Sequence, residues 1–219
     1  ITQFQVGDAV MGIAFDSLGS HAITDARLLV PKPEALSFAE AAAMPIVFLT
    51  AYCALCQLGR MRAGERVLIH AGTGGVGQAA IQLAQHIGAE IFVTAGTPEK
   101  RTYLRDQGIG HVMDSRSLAF ADEVLAATNG AGVDLLLNSL AGEAVLKGLE
   151  ILRSYGRFLE IGKRDIYDNS RIGLLPFQKN LSYFAIDLDR MARERPAEIG
   201  DMLHTLLELF EAGAIRPLP

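Results

Sequence analysis

The stretch His70-Ala71-Gly72-Thr73-Gly74-Gly75-Val76-Gly77 constrains this chain more than any other. It follows a short apolar run at 67–70 and precedes a helical pattern over 75–87 that Gly88 stops. Glycines spaced Gly72-x-Gly74-x-x-Gly77 at a strand-to-helix turn meet three steric demands. The turn is tight, a bound pyrophosphate comes close to the backbone, and the helix packs close on the strand. The helix N-terminus adds free N–H groups and the positive end of a dipole. Gly72, Gly74, Gly75, Val76 and Gly77 are therefore the expected seat of a dinucleotide's phosphates. A glycine-rich turn can also be purely structural, so its surroundings matter.

Those surroundings alternate strand and helix. Apolar strand patterns at 67–70, 90–94, 111–113, 133–137 and 156–161 are separated by helical patterns at 75–87, 98–107, 118–128 and 143–153. Strands that are apolar almost throughout, between helices, indicate a parallel sheet covered on both faces, so the fold class is α/β, a Rossmann-type doubly wound sheet. Residues 163–181 read as loop, 181–188 as a further strand, and 196–212 as an amphipathic helix ended by Gly213. Upstream, residues 9–15 and 26–30 are β-like, and Pro31-Lys32-Pro33 marks a domain junction. Ser37-Phe38-Ala39-Glu40 is a capping box that starts a helix, which Pro45 kinks or ends before a second helix through 51–58.

The second strand suggests which dinucleotide binds. An NAD site places an acid at the strand tip to hold the ribose hydroxyls. Here the tip reads Thr94-Ala95-Gly96-Thr97, without an acid, and Lys100 and Arg101 follow. Cations there can meet a 2′-phosphate through charge-assisted hydrogen bonds, so NADPH is expected, with Thr97, Lys100 and Arg101 around the phosphate. The alternative is that both cations are solvated residues of the next helix.

Several motifs together carry a resemblance. Val6-Gly7-Asp8-Ala9-Val10, the helices over 36–58, the glycine-rich turn, Asn138-Ser139-Leu140 and Glu160-Ile161-Gly162-Lys163-Arg164-Asp165 resemble the medium-chain dehydrogenase/reductase superfamily, in its zinc-free branch. Within it the chain is similar to the enoyl reductase domains of type I polyketide and fatty acid synthases. The Gly162–Asp165 run, Asn180-Leu181-Ser182 and Asp187-Leu188 are similar to multimodular synthases that build long-chain lipids. The resemblance implies reduction of a trans-2-enoyl thioester borne by the phosphopantetheine of an acyl carrier protein. Hydride goes from NADPH to the β-carbon and a proton to the α-carbon. It makes Lys163 the candidate proton donor and Asp187 the group that orients and charges it, a pair otherwise readable as surface residues. It puts Thr50 near the nicotinamide, with Tyr52 close by. Asn138, Ser139 and Leu140, then Ile161 and Gly162, fall at the carboxyl edge of the sheet, where ligands of such sheets bind.

The resemblance also divides the chain into residues 1–36, a remnant of a β-rich GroES-like substrate domain with its junction, and 37–219, the NADPH-binding domain. Lacking an initiator Met, the chain is expected to be a fragment that binds NADPH but turns over poorly alone. Neighbouring synthase domains and a second copy, paired through the strand at 181–188, are the other expected partners. A net charge of −5 with no Lys/Arg block longer than two argues against nucleic acid, and two cysteines fit a reducing cytoplasm. Cys53-x-x-Cys56 has metal-like spacing but lies in an apolar helix without a second pair, so no metal is expected. The apolar stretch from Ala39 to Leu58 is interrupted by Pro45, Thr50 and Gln57 and reads as buried helices, not a membrane span. A free-standing quinone or alkenal reductase and a non-catalytic nucleotide-binding scaffold are the competing functions.

Overall fold

A computed structural model describes residues 3–218; Ile1, Thr2 and Pro219, the outer ends of the two expected domains, lie outside the described residues. Near the N-terminus β1 (Val10–Gly12) and β2 (Leu29–Pro31) pair antiparallel, with Val10 opposite Pro31. Pro31 has no N–H to give the ladder, and accordingly it closes the strand. The strand expected from residue 26 starts late. Asp25 accepts from the Arg27 N–H and caps a 3-10 turn, Ala26–Leu28, ahead of β2.

α1 (Phe38–Ala43) opens on the expected capping box: the Ser37 hydroxyl accepts from the Glu40 N–H, and Glu40 Oε2 accepts from the Ser37 N–H at 2.8 Å. Pro45 begins α2 (Pro45–Tyr52), which continues as a π-helical segment, Cys53–Leu58, to Gly59. By length and composition Phe38–Leu58 could cross a membrane. In the fold Phe48, Leu49, Ala51, Ala54 and Leu55 are buried in the protein's own core.

From Arg66 the alternation is β3 (Arg66–Ile69), α3 (Gly75–Ile87), β4 (Glu90–Ala95), α4 (Pro98–Asp106), β5 (His111–Asp114), α5 (Phe120–Ala127), β6 (Val133–Asn138), α6 (Glu143–Glu150) and β7 (Leu152–Glu160). Then come α7 (Arg164–Tyr167), a 3-10 turn at Leu175–Lys179, β8 (Ser182–Ala185), α8 (Leu188–Glu194) and α9 (Pro196–Glu211). β3 to β8 form one six-stranded sheet in the order β5-β4-β3-β6-β7-β8, every pairing parallel. This is the Rossmann-type doubly wound sheet. The order reverses between β3 and β6, which opens a crevice at their carboxyl ends.

Side chains alternate across the sheet and both faces are filled. Leu68, Phe92, Leu136 and Phe158 pack with Phe120, Val124 and Leu149. Val67, Ile69, Val93, Leu135, Leu137 and Leu159 pack with Leu49, Leu83 and Leu203. Ile13, Leu28 and Val30 belong to this second cluster, so the N-terminal hairpin and the sheet share one core. A Cβ on Gly200 of α9 would lie 2.6 Å from the Arg27 carbonyl oxygen, which shows how closely that hairpin lies on α9.

Three further stretches differ from the sequence reading. The helix read to 153 ends at Glu150, because Leu152 already pairs with Val133; the register then shifts near Tyr155, whose φ is 64°. The loop read over 163–181 contains α7 and a 3-10 turn. The strand read over 181–188 stops at Ala185, and Asp187 instead caps α8 by accepting from the Arg190 N–H.

Leu136 is fully buried and Leu175 exposed. Leu136→Ala is expected to cost ~2–5 kcal/mol in urea unfolding, and Leu175→Ala no more than about 0.5 kcal/mol.

Candidate active site

The glycine-rich turn is held from within. Gln78 Nε2 donates to the Gly72 carbonyl at 2.8 Å, and the Gly72 N–H donates to Thr94 O at 2.9 Å. A Cβ on Gly77 would lie 2.4 Å from Ala71 O and 2.8 Å from Gly72 Cα, both backbone atoms that cannot give way. A Cβ on Gly75 would lie 2.8 Å from Val47 Cγ1. Only a glycine at position 77 allows this approach of α3 to the turn after β3, while Gly75 lets α3 lie close to Val47 of α2. α3 begins after Gly74 with no side chain capping it, so its first N–H groups are available to an anion. His70, at the end of the strand run, is buried with Nδ1 2.9 Å from Thr94 Oγ1, and burial pushes its pKa down to about 3. It is a neutral brace.

The expected 2′-phosphate residues divide. Thr97 caps α4, its hydroxyl accepting from the Lys100 N–H at 3.3 Å, and Lys100 itself is exposed. Arg101 is engaged: it donates to Ala95 O at 3.1 Å and pairs with Asp114 at 3.1 Å. A further cation, Arg116, which the sequence reading did not name, lies at the same strand tip. A Cβ on Gly96 would sit 3.2 Å from Arg116 Nε and 3.5 Å from Ser115 Oγ, so both residues lean over the tip of β4. Among the described residues Arg116 makes no ion pair.

At the other side of the crevice the carboxyl ends of β6 and β7 bring Asn138, Ser139, Leu140, Ile161 and Gly162 together. Ser139 is exposed, and Ile161 donates its N–H to Asn138 O at 3.0 Å. The Asn138 side chain is fully buried: Nδ2 donates to Leu140 O at 2.7 Å and to Glu160 Oε2 at 2.6 Å, while Oδ1 accepts from the Leu140 N–H. Glu160, also missed in the sequence, is 2% exposed and accepts the Gly162 N–H at 2.6 Å. Burial pushes its carboxyl up to about 7, against the bonds from Asn138 and Gly162 that favour the charged form.

Lys163 and Asp187, 24 residues apart, meet at 2.9 Å, both partly exposed. The bond to Asp187 holds the Lys163 ammonium above its ordinary value, and Lys163 holds the Asp187 carboxyl below its own. Lys163 lines a largely apolar cavity of about 290 Å3 with Ile13, Ile46, Thr50, Ile161 and Leu188. Thr50 donates its hydroxyl to Ile46 O at 2.7 Å. Tyr52 is not among the residues lining it; it packs against the core. A larger hollow of about 510 Å3, bounded by Cys53, Met191 and Met202, is the one that Asp187 lines, and no residue of the glycine turn lines it.

These features define a dinucleotide-binding Rossmann unit whose sheet carries a Lys–Asp pair at its carboxyl edge. The sequence profile described as zinc-binding dehydrogenase matches residues 75–204. The phthioceranic/hydroxyphthioceranic acid synthase of Mycobacterium tuberculosis is 50% identical over 220 residues, covering 100% of this chain and 10% of the synthase. The crystal structure of the CurK enoyl reductase matches with a TM-score of 0.85 and 42% identity, over 100% of this chain and 65% of that one. The nucleotide-binding subdomain of the enoyl reductase domain of PpsC, from Mycobacterium tuberculosis, matches with a TM-score of 0.76 and 46% identity, over 79% of this chain and 97% of that one. The chain therefore belongs to the zinc-binding dehydrogenase family of oxidoreductases, in the branch formed by polyketide synthase enoyl reductase domains. It spans about a tenth of the length of the curated relatives it matches. The family's nucleotide-binding fold implies a nicotinamide cofactor, which the glycine cradle and the open α3 N-terminus fit.

Zinc, by contrast, does not fit the residues present. Among the described residues no group of three or more His, Cys, Asp or Glu could hold a metal. Burial pushes the Cys53 and Cys56 thiols up to about 11 and about 12, away from the thiolate a metal requires.

The raised carboxyl has a stability consequence. Glu160 binds its proton more tightly folded, at about 7, than at its ordinary 4.5, so its contribution is complete below about 4.5 and is lost as pH rises through about 7. Between pH 5 and 8 unfolding free energy should fall faster in the parent than in Glu160→Gln, by an amount on the order of 3 kcal/mol, as read from paired urea titrations.

Proposed function

We propose that the protein is the enoyl reductase module of a polyketide or fatty acid synthase, reducing a trans-2-enoyl thioester on an acyl carrier protein with NADPH. The observation that carries this reading is the Lys163–Asp187 pair at the same carboxyl edge of the parallel sheet as the glycine turn, with Lys163 on the wall of an apolar cavity. Residues 1–36 are the margin of a β-rich substrate domain and 37–219 the NADPH-binding domain. The neighbours are other synthase domains in the same cytoplasmic polypeptide, and a second copy pairs along the open edge of β8.

When bound, NADPH would supply the hydride for the β-carbon, two electrons and one hydrogen, as it is oxidised to NADP+. The chain's own residues do the rest. Gly72 to Gly77 and the α3 N-terminus hold the diphosphate. Lys100 and Arg116 meet the 2′-phosphate, on a rim that Thr97 and Arg101 shape. Thr50, Ile161 and Gly162 would hold the nicotinamide end, together with Asn138, Ser139 and Leu140. Lys163 gives one proton from Nζ to the α-carbon and recovers one from water. Asp187 keeps that ammonium charged and aimed.

The test uses the intact protein, with crotonyl-pantetheine thioester and a simple quinone offered in parallel. Preferential thioester reduction supports the reading, preferential quinone reduction transfers the protein to the free-standing reductases, and NADPH binding without turnover points to a scaffold. Lys163→Ala and Asp187→Ala are each expected to lower thioester turnover by about 10²-fold or more, with NADPH affinity kept. Parent turnover in both variants would remove the roles assigned to them. Arg116→Ala should weaken NADPH by roughly 10-fold or more and leave NADH unchanged, measured as paired KM values.

A further inference from the structure

Glu160 has no part in the chemistry just described, yet it is the most deeply buried carboxyl beside the site. One oxygen receives the Gly162 N–H at 2.6 Å and the other the Asn138 amide at 2.6 Å. Asn138 in turn grips both backbone polar groups of Leu140, donating to its carbonyl and accepting from its N–H. A single carboxyl thus ties the loop after β6 to the loop after β7, the two that bound the crevice on this side. Asp165 makes a second tie further out, accepting the Gly142 N–H at 2.8 Å. We propose that Glu160 is a positioning residue, whose carboxylate holds the Asn138–Leu140 and Ile161–Gly162 rim in the shape that seats the nicotinamide end of the cofactor. This rests on the functional reading above.

The donor count shows why the ionised form is the one that clamps. A carboxylate only accepts, and here both of its oxygens face donors. A protonated carboxyl turns one oxygen into a hydroxyl, a much weaker acceptor than a carboxylate oxygen, so the bond from either the Asn138 amide or the Gly162 N–H is weakened there. The amide of Asn138 cannot flip to help, because Oδ1 already accepts the Leu140 N–H. The titratable groups facing Glu160 are Tyr183 of β8, whose phenol favours the carboxylate, and Asp165 of α7, whose charge opposes it. Lys163 is engaged with Asp187. Since burial places the carboxyl's titration at about 7, the clamp tightens and loosens across the neutral range.

The experiment is a pH series of KM for NADPH and of kcat in the intact protein, from pH 6 to 8, with direct NADPH fluorescence titrations alongside. In the parent, KM should rise severalfold as pH falls while kcat at saturating NADPH changes little. In Glu160→Gln, KM should already be at least fivefold higher at pH 8 and lack the Glu160 inflection. The cofactor's 2′-phosphate also titrates, near pH 6, but equally in both proteins, so the difference between the profiles isolates Glu160. Tyr183→Phe keeps the ring stacked 5.1 Å from Phe158 and removes only the phenol, so its inflection should move to higher pH. A folded Glu160→Gln with the parent's KM and profile overturns the proposal. Should that variant fail to fold, an unmoved inflection in Tyr183→Phe overturns it instead. If the parent binds NADPH but reduces no thioester, the functional reading fails while the clamp is still tested by binding affinity against pH. No NADPH binding by the parent overturns both.

Discussion

The contact on which the rest of the structure depends is the approach of Gly77 to the peptide between Ala71 and Gly72. A methyl group there would sit 2.4 Å from a carbonyl oxygen, so α3 can lie this close to β3 only without a side chain. That approach sets where the first turn of α3 points, and it points across the carboxyl end of β3. There the strand order reverses, and the helices that follow β3 and β6 pass to opposite faces of the sheet. The crevice left between them has a floor of backbone N–H groups at one end. At the other lie the loops that follow β6 and β7.

Two carboxylates near that crevice show how surroundings divide one chemistry into two roles. Asp187 lies at the surface against an ammonium, and its pKa is lowered by that partner. It stays charged throughout the physiological range and so gives Lys163 a constant environment. Glu160 has backbone and amide donors but no cation, and burial carries it to about 7. Solvent is excluded there, so ionisation is costly despite the hydrogen bonds that favour it, and the carboxyl keeps its proton to a higher pH than an exposed one would. One pair holds steady while the buried carboxyl responds to its medium.

The glycine turn was legible because its demands are local: three glycines at fixed spacing, a strand before and a helix after. The parallel sheet was legible from the unbroken apolar character of its strands. Features that depend on strand neighbours were not. Arg116 is brought to Gly96 only because β5 lies beside β4, which sequence order alone does not require. Glu160 reads as the polar end of an apolar strand until Asn138, 22 residues earlier, is found against it. α8 was hidden because Asp187 followed an apolar run and passed for a strand end, when it is a helix cap. Lys163 and Asp187 were named by resemblance, since no local signal pairs residues 24 apart; the fold brings them into contact.

The hairpin of β1 and β2 is fastened to the nucleotide-binding unit downstream of it. Ile13, Leu28 and Val30 sit in the same core as the sheet, Ile13 also walls the cavity beside Lys163, and the Arg193 guanidinium lies 3.8 Å over the Phe15 ring. The visible seam in the sequence, Pro31-Lys32-Pro33, is therefore not a mechanical seam. A chimera spliced at those prolines would leave α9 bare and take away one wall of the pocket, whereas a crossover upstream of β1 keeps the interface whole. For recombination between related chains, natural or engineered, the unit to be kept together includes the hairpin.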